Sequence, residues 1–468
     1  MPPNVVLIVM DTARVDAFEP WGAAAGSTPT VAQLARTGQC FTDVRSTANW
    51  TVPGHASMFG GALPRHLGLS KVELAPRACE PAILAASWRW LPEVLRANGY
   101  ATGGITANLW VSAHMGFDIG FDRFETVVAP RGAGIHDPGW RARLGWAREG
   151  ARAKTDDGAS RAEELLTTWV AEAGEQPFFW FVNLTECHSP YLPPRPYNDL
   201  PLLQRIRAAD DARRTLTLES MWKTSLGLQQ IPQEVLDRMR HLYDRSVRSM
   251  DDWLARFLDR LGARQLLDDT IVIVTSDHGE NFGECGLIGH CFSLDDRLLR
   301  VPLVVSRPGF ATDLVSLEQL PGAIADAIGL DDHPWPSPTG GVAVAHMDTV
   351  LNEEQLDSLR GPWELDARSE QALTASTLCA VEGSLKLSRR NDGHEELFDL
   401  DDDPLEGRPA TLGLRPPTDV AEEVTRLRLA LDRAEEDVSD VDFVPPAVET
   451  DAAESALVER KMRELGYI

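Results

Sequence analysis

Four residues from three distant stretches of this chain are of the types that bind a divalent cation and present a hydroxyl to it. Asp11 closes "NVVLIVMD", Asp277 and His278 close "DDTIVIVTSDH", and Thr51 lies in "WTVPGHASM". Two carboxylates and an imidazole form a ligand set suited to Zn2+ or Mn2+ and less suited to an all-oxygen Ca2+ site. Thr51 precedes Pro53 and Gly54, with a helix expected from about His55, so its hydroxyl lies where a helix N-terminus favours anions. An alcohol is a poor nucleophile near neutral pH, and a bound divalent cation is one way to lower its pKa. Each residue also has a structural reading: a strand-end Asp caps the next helix, and Thr is a common N-cap.

His188 in "TECHSPY" and His290 in "GLIGHCFSLDD" are further candidates. His290 follows His278 by twelve residues, enough for one loop to return over the same place. Asn108 and His55 are candidates for oxygen contacts, and Asn108 could equally cap a turn.

The elements that must position these residues are short apolar runs. "NVVLIVM", "PFFWFVNL", "TIVIVT" and "RVPLVV" read as buried strands, the first three ending in Asp11, Glu186 with His188, and Asp277 with His278. Between them, "ASRAEELLTTWVAEAG" and "VLDRMRHLYDRSVRSMDDWLARFLDRLG" carry apolar residues at helical spacing. Strands alternating with helices predict an α/β domain with a large, mostly parallel sheet, whose carboxyl edge collects the polar residues. We place this domain at residues 1–365, with stretches 127–159 and 194–230 as insertions. A smaller α+β domain with short strands follows at 366–468.

The chain has 468 residues, 43% hydrophobic and 25% charged, enough for a large core. Its 71 acidic against 45 basic residues give a formal charge of -26, which disfavours nucleic acid and anionic membranes as partners. A small anionic substrate needs local positive charge from a metal, His or Lys. Six scattered cysteines, with no apolar leader and no membrane-spanning run, predict a cytoplasmic protein with free thiols.

The stretches "NVVLIVMDTARVD", "TVPGHASMFGG", "GYATGGITANLW", "GFDIGFDRFE", "HSPYLPP", "SDHGENFGECG", "RVPLVVSRPG", "LFDLDDDPLE" and the terminal "LGYI" resemble, in order, segments of sulfatase-like hydrolases of the alkaline phosphatase superfamily. The resemblance implies that Asp11, Asp277 and His278 bind a divalent metal with Thr51 as the metal-bound nucleophile. It also implies that His188 and His290 contact the transferred group or leaving oxygen, and that Lys386 approaches the site from a small C-terminal domain. Zn2+ or Mn2+ is the expected metal, with Ca2+ or Mg2+ as alternatives. Glu186, His188 and His290 are candidates for a second cation.

Two departures shape the expected chemistry. Asp11 is followed by Thr12 where Ca-binding sulfatases pair two aspartates, and Thr51-Val-Pro-Gly-His55 stands where they carry a Cys or Ser that becomes formylglycine. Threonine cannot become formylglycine. A threonine ester is cleared only by attack at its central atom, a route well used at phosphorus. The expected activity is therefore hydrolysis of a small phosphate mono- or diester through phospho-Thr51, the alternatives being sulfate or phosphonate esters or transfer to an alcohol. A non-catalytic binding homologue is the remaining reading.

Overall fold

The computed structural model describes residues 2–72, 75–127, 139–411 and 420–436. The terminal "LGYI" lies outside them. Strands β1 (Asn4–Met10), β2 (Gln39–Arg45), β3 (Ala101–Thr106), β4 (Arg123–Thr126), β5 (Phe178–Leu184) and β6 (Thr270–Thr275) join β9 (Arg300–Val305) in one sheet of order β2-β9-β6-β1-β5-β3-β4, with β7 (Asn281–Phe282) and β8 (Ile288–Gly289) forming a separate ribbon. The near-continuous apolar runs of β1, β5 and β6 take the centre because both faces of a doubly covered sheet need apolar side chains.

Alternation along β1 divides the core. Val6, Ile8 and Met10 pack with Met239, Met250 and Trp253 of the long helix Gln233–Ala263. Val5, Leu7 and Val9 face Val52, Ala56 and Phe59 of the helix Thr51–Gly60.

The strand β9, predicted from "RVPLVV", runs antiparallel to both β6 and β2. A parallel return needs a crossover of a dozen or more residues, usually helical. The link from β6 holds only the β7/β8 ribbon, a 3-10 turn and the four-residue helix Asp296–Leu299, so the chain doubles back.

A second sheet is antiparallel throughout, of order β10 (Ala343–Met347), β11 (Thr377–Glu382), β12 (Leu385–Arg390), β13 (Glu395–Asp399) and β14 (Ala410–Thr411). Its first strand lies ahead of residue 366, where the small domain was expected to begin. Val424, Leu427 and Leu431 of the helix Ala421–Glu436 cover it, packing on Leu378, Ala380 and Leu387. The sheet is tied to the large domain just before the helix Thr51–Gly60, where His346 N donates to Thr47 O at 2.8 Å. Among the described residues, no helix is long and apolar enough to cross a membrane. All six cysteines are free.

Candidate active site

Four adjacent strands, β6, β1, β5 and β3, deliver polar residues to one carboxyl edge. Asp277 and His278 follow β6, Asp11 follows β1, Asn183 is the penultimate residue of β5, and Asn108 lies just beyond β3. Thr51 comes from the opposite direction, as the first residue of its helix. The helix begins there and not at His55, and its N-cap is Trp50, so the Thr51 hydroxyl is not spent on capping. Two glycines permit the close fit. A Cβ on Gly54 would lie 3.0 Å from Asp277 O, and one on Gly279 would lie 2.0 Å from Arg297 O.

Asp11, Asp277 and His278 are all fully buried, and one ligand atom from each lies within 4.8 Å of the others. Each residue spends one polar atom on the protein and keeps another free. Asp11 Oδ2 accepts from Asn108 Nδ2 at 2.7 Å, leaving Oδ1 without a partner. Asp277 Oδ1 accepts from the amides of Thr12 at 3.2 Å and His278 at 3.0 Å, leaving Oδ2 without a hydrogen bond, 3.4 Å from His55 Nδ1 and 3.5 Å from His278 Nε2. His278 Nδ1 donates to Gly279 O at 2.9 Å, leaving Nε2.

Buried polar atoms without partners are costly, and outer hydrogen bonds that fix the tautomer of a ligating His are a regular feature of metal sites. Burial, reinforced by the Asp11 charge, raises the Asp277 carboxyl well above the ordinary carboxylate range. Burial and the nearby His290 push the His278 imidazole well below its ordinary value. Two carboxylates and a neutral imidazole fit a divalent cation, which would relieve both the mutual repulsion and the three orphaned atoms.

Thr51 Oγ1 is linked to this cluster through Asn108, whose Nδ2 lies 3.3 Å from it and 2.7 Å from Asp11 Oδ2. Asn108 also caps a 3-10 turn, its Oδ1 accepting from Trp110 N at 2.9 Å.

His188 and His290 lie side by side, with ring centroids 5.3 Å apart, and His290 is 4.6 Å from the His278 ring. His290 Nδ1 bonds Glu280 Oε1 at 3.0 Å, and Tyr191 donates to Glu280 Oε2 at 2.7 Å. Burial alone would depress the His290 pKa, but the Glu280 carboxylate outweighs it and raises it.

Three sequence expectations need correction. His55 is not at a substrate surface: it is fully buried, with Nδ1 bonded to Thr51 O at 2.9 Å and Nε2 facing Asn183 Nδ2 at 3.1 Å. Burial lowers its pKa to about 4, so it is neutral, and it holds the Thr51 main chain. Among the described residues, Glu186 does not group with the histidines as a cation site. Its Oε1 accepts from Ala159 N at 2.8 Å and Asp157 N at 3.2 Å, at the start of the helix Ala159–Glu172, while its Oε2 has no partner.

Lys386 is not available to a substrate either, because its ammonium is buried against Glu406 Oε2 and Leu294 O, each at 2.5 Å. Replacing Lys386 with Met strands the Glu406 carboxylate, and we expect a loss of about 3–5 kcal/mol in urea unfolding. The kcat per folded molecule should be unchanged. A tenfold fall would return Lys386 to the site.

Asn183, Glu280 and Tyr191 were missed. A lone Asn in the apolar run "PFFWFVNL" and the Glu after "SDHG" were the available signals.

The chain is 25% identical to the choline-sulfatase of Rhizobium meliloti (strain 1021), over 90% of its own length and 84% of that protein's. It is 25% identical to the multifunctional alkaline phosphatase superfamily protein PehA of Trinickia caryophylli, over 65% of this chain and 68% of that one. The phosphonate monoester hydrolase of Agrobacterium radiobacter has the same fold, with a TM-score of 0.62 at 18% identity over 92% of this chain and 95% of that chain. Residues 3–326 match the Sulfatase family model, and the chain accordingly belongs to the sulfatase family of ester hydrolases.

Proposed function

We propose that this hydrolase cleaves phosphate mono- or diesters of small molecules through a covalent phosphoryl group on Thr51. The observation that carries the reading is the single hydroxyl of Thr51, linked through Asn108 Nδ2 to the Asp11, Asp277 and His278 cluster. Enzymes of the family use a divalent metal, and here Asp11 Oδ1, Asp277 Oδ2, His278 Nε2 and Thr51 Oγ1 would hold it. When bound, it supplies the charge that lowers the hydroxyl pKa and neutralises the non-bridging oxygens of the ester. The all-buried carboxylate and imidazole donors favour Zn2+ or Mn2+ over Ca2+.

The chain's own residues then divide the work. Thr51 Oγ1 releases its proton to solvent and bonds to phosphorus as the bond to the leaving oxygen breaks, and the ring of His290 gives that oxygen a proton. In the second step the ring of His290 takes a proton from water as that water bonds to phosphorus, the Thr51 oxygen departs and recovers a proton from solvent, and inorganic phosphate or a monoester is released. Asn108 Nδ2 stabilises charge on the threonine oxygen in both steps. His55, by holding the Thr51 carbonyl, keeps the hydroxyl in place.

A phosphonate monoester would follow the same two steps. The fold shared with the Agrobacterium enzyme supports it as the second reading, while the choline-sulfatase relative keeps sulfate esters in the test.

A panel of alkyl and aryl phosphates, phosphonates and sulfates separates these classes, and His290→Gln adds the leaving-group test. General acid catalysis contributes about 10²- to 10⁴-fold, so alkyl phosphates should lose about that much kcat/KM in His290→Gln. Nitrophenyl phosphates, whose leaving group needs no proton, should lose less than about tenfold. Wild-type turnover restricted to sulfates would overturn the phosphoryl reading, and equal losses on both leaving groups would remove His290 as the acid.

A further inference from the structure

Asn183 lies fully buried at the end of β5 and faces three different residues of the site. Its Nδ2 donates to Asp11 Oδ2 at 3.4 Å and to His55 Nε2 at 3.1 Å, and its Oδ1 accepts from Thr106 Oγ1 at 3.2 Å. The direction of this amide is chemically determined. An ionised carboxylate only accepts, so the NH2 end must face Asp11 and the oxygen must face the Thr106 hydroxyl. The His55 tautomer follows. With Nε2 accepting from Asn183, the ring proton lies on Nδ1, where it donates to Thr51 O at 2.9 Å.

We propose that Asn183 is a positioning residue whose single amide group sets both the cation-facing oxygen of Asp11 and the main chain of the nucleophile. By holding Oδ2, together with Asn108, it leaves Oδ1 as the orphaned oxygen turned to the cluster. By fixing the His55 tautomer, it anchors the first residue of the nucleophile helix. One side chain thereby acts on both the Asp11 carboxylate and, through His55, the main chain of Thr51. This proposal rests on the reading of Thr51 and the cation cluster given above.

The test uses Asn183→Leu, which removes both donors at similar volume, and Asn183→Ser, a smaller polar variant in case leucine prevents folding. Mn2+ affinity of the folded protein is read by calorimetry, which needs no turnover, beside kcat and KM on the best ester of the panel. Loss of a partner that orients a metal ligand typically weakens metal binding or activity about 10- to 100-fold. We expect that loss in Mn2+ affinity and in kcat, with KM within about threefold of wild type, because the ester itself does not touch Asn183.

A merely structural Asn183 would lower the thermal midpoint and leave Mn2+ affinity and kcat of the folded fraction within about twofold. That result in either variant overturns the proposal. A wild-type protein that binds no Mn2+ overturns it as well, whereas retained turnover in Thr51→Ala would sink the reading of the nucleophile while leaving the Mn2+ measurement to judge Asn183.

Discussion

Thr51→Ala is expected to lower kcat by about 10⁴-fold or more while the protein stays folded and keeps most of its metal affinity. Removing a covalent nucleophile costs about as much as removing the whole catalytic constellation around it, and only the background from binding and charge stabilisation survives. Two other hydroxyls near it in the chain, Thr47 and Ser57, are fully buried and bonded to each other at 2.7 Å. Asp11, Asp277 and His278 remain in the variant, which is why metal content should change little. Thr51→Ser keeps a hydroxyl on the same N-terminal turn and should retain turnover within about 10- to 100-fold, the loss reflecting a freer rotamer. Single-turnover kinetics and elemental analysis on the three proteins read both effects. Full activity in the alanine variant would contradict the assignment.

Asp277→Asn should abolish turnover and weaken metal binding by at least about 100-fold, since it removes a direct ligand where loss of an outer partner alone costs about 10- to 100-fold. The amide has one oxygen, and the amides of Thr12 and His278 already require it. The NH2 group must then face the cluster, where the structure leaves a carboxylate oxygen unpaired.

The same substitution should make the metal-free protein more stable, because burial and the Asp11 charge both oppose ionisation of Asp277. The sign follows from linkage. A carboxyl raised in the folded state binds more protons there than in the unfolded chain, so metal-free stability is lost as pH rises above the unfolded value of about 4. Asp277→Asn removes that loss. Urea unfolding in chelator at pH 5 and pH 7.5 should show a smaller drop in the variant. A variant less stable than wild type at pH 7.5 without metal would mean that Asp277 serves the fold and not a cation.

The residues of the site differ in how openly the sequence announced them. Asp11, Asp277 and His278 were legible because each ends a run of apolar residues, and the end of a buried parallel strand is where a sheet presents polar groups. Thr51 was legible from the Pro53 and Gly54 that follow it, although the helix starts earlier than those residues suggested. His55 looked like a ligand-facing group and is instead buried behind the nucleophile, because four residues along a helix return to the same face. Lys386 sits on a strand whose register with β11 and β13 sends its side chain inward to Glu406, a partner twenty residues away.

Asn183 was hidden for a different reason. Its role depends on Thr106, Asp11 and His55 converging from three other elements, and a single polar residue in an apolar strand does not reveal what it will face. The reversed direction of β9 and the early start of the small sheet at Ala343 are also properties of pairing, which local sequence patterns specify only weakly.

The central claim is that Thr51 carries the phosphoryl group, and acid quenching during turnover of a phosphoester labelled with radioactive phosphorus tests it most directly. Digestion and sequencing should place the label on Thr51, in wild type and Thr51→Ser but not in Thr51→Ala. Steady turnover with no label on the enzyme, or with the label on another residue, would contradict the account.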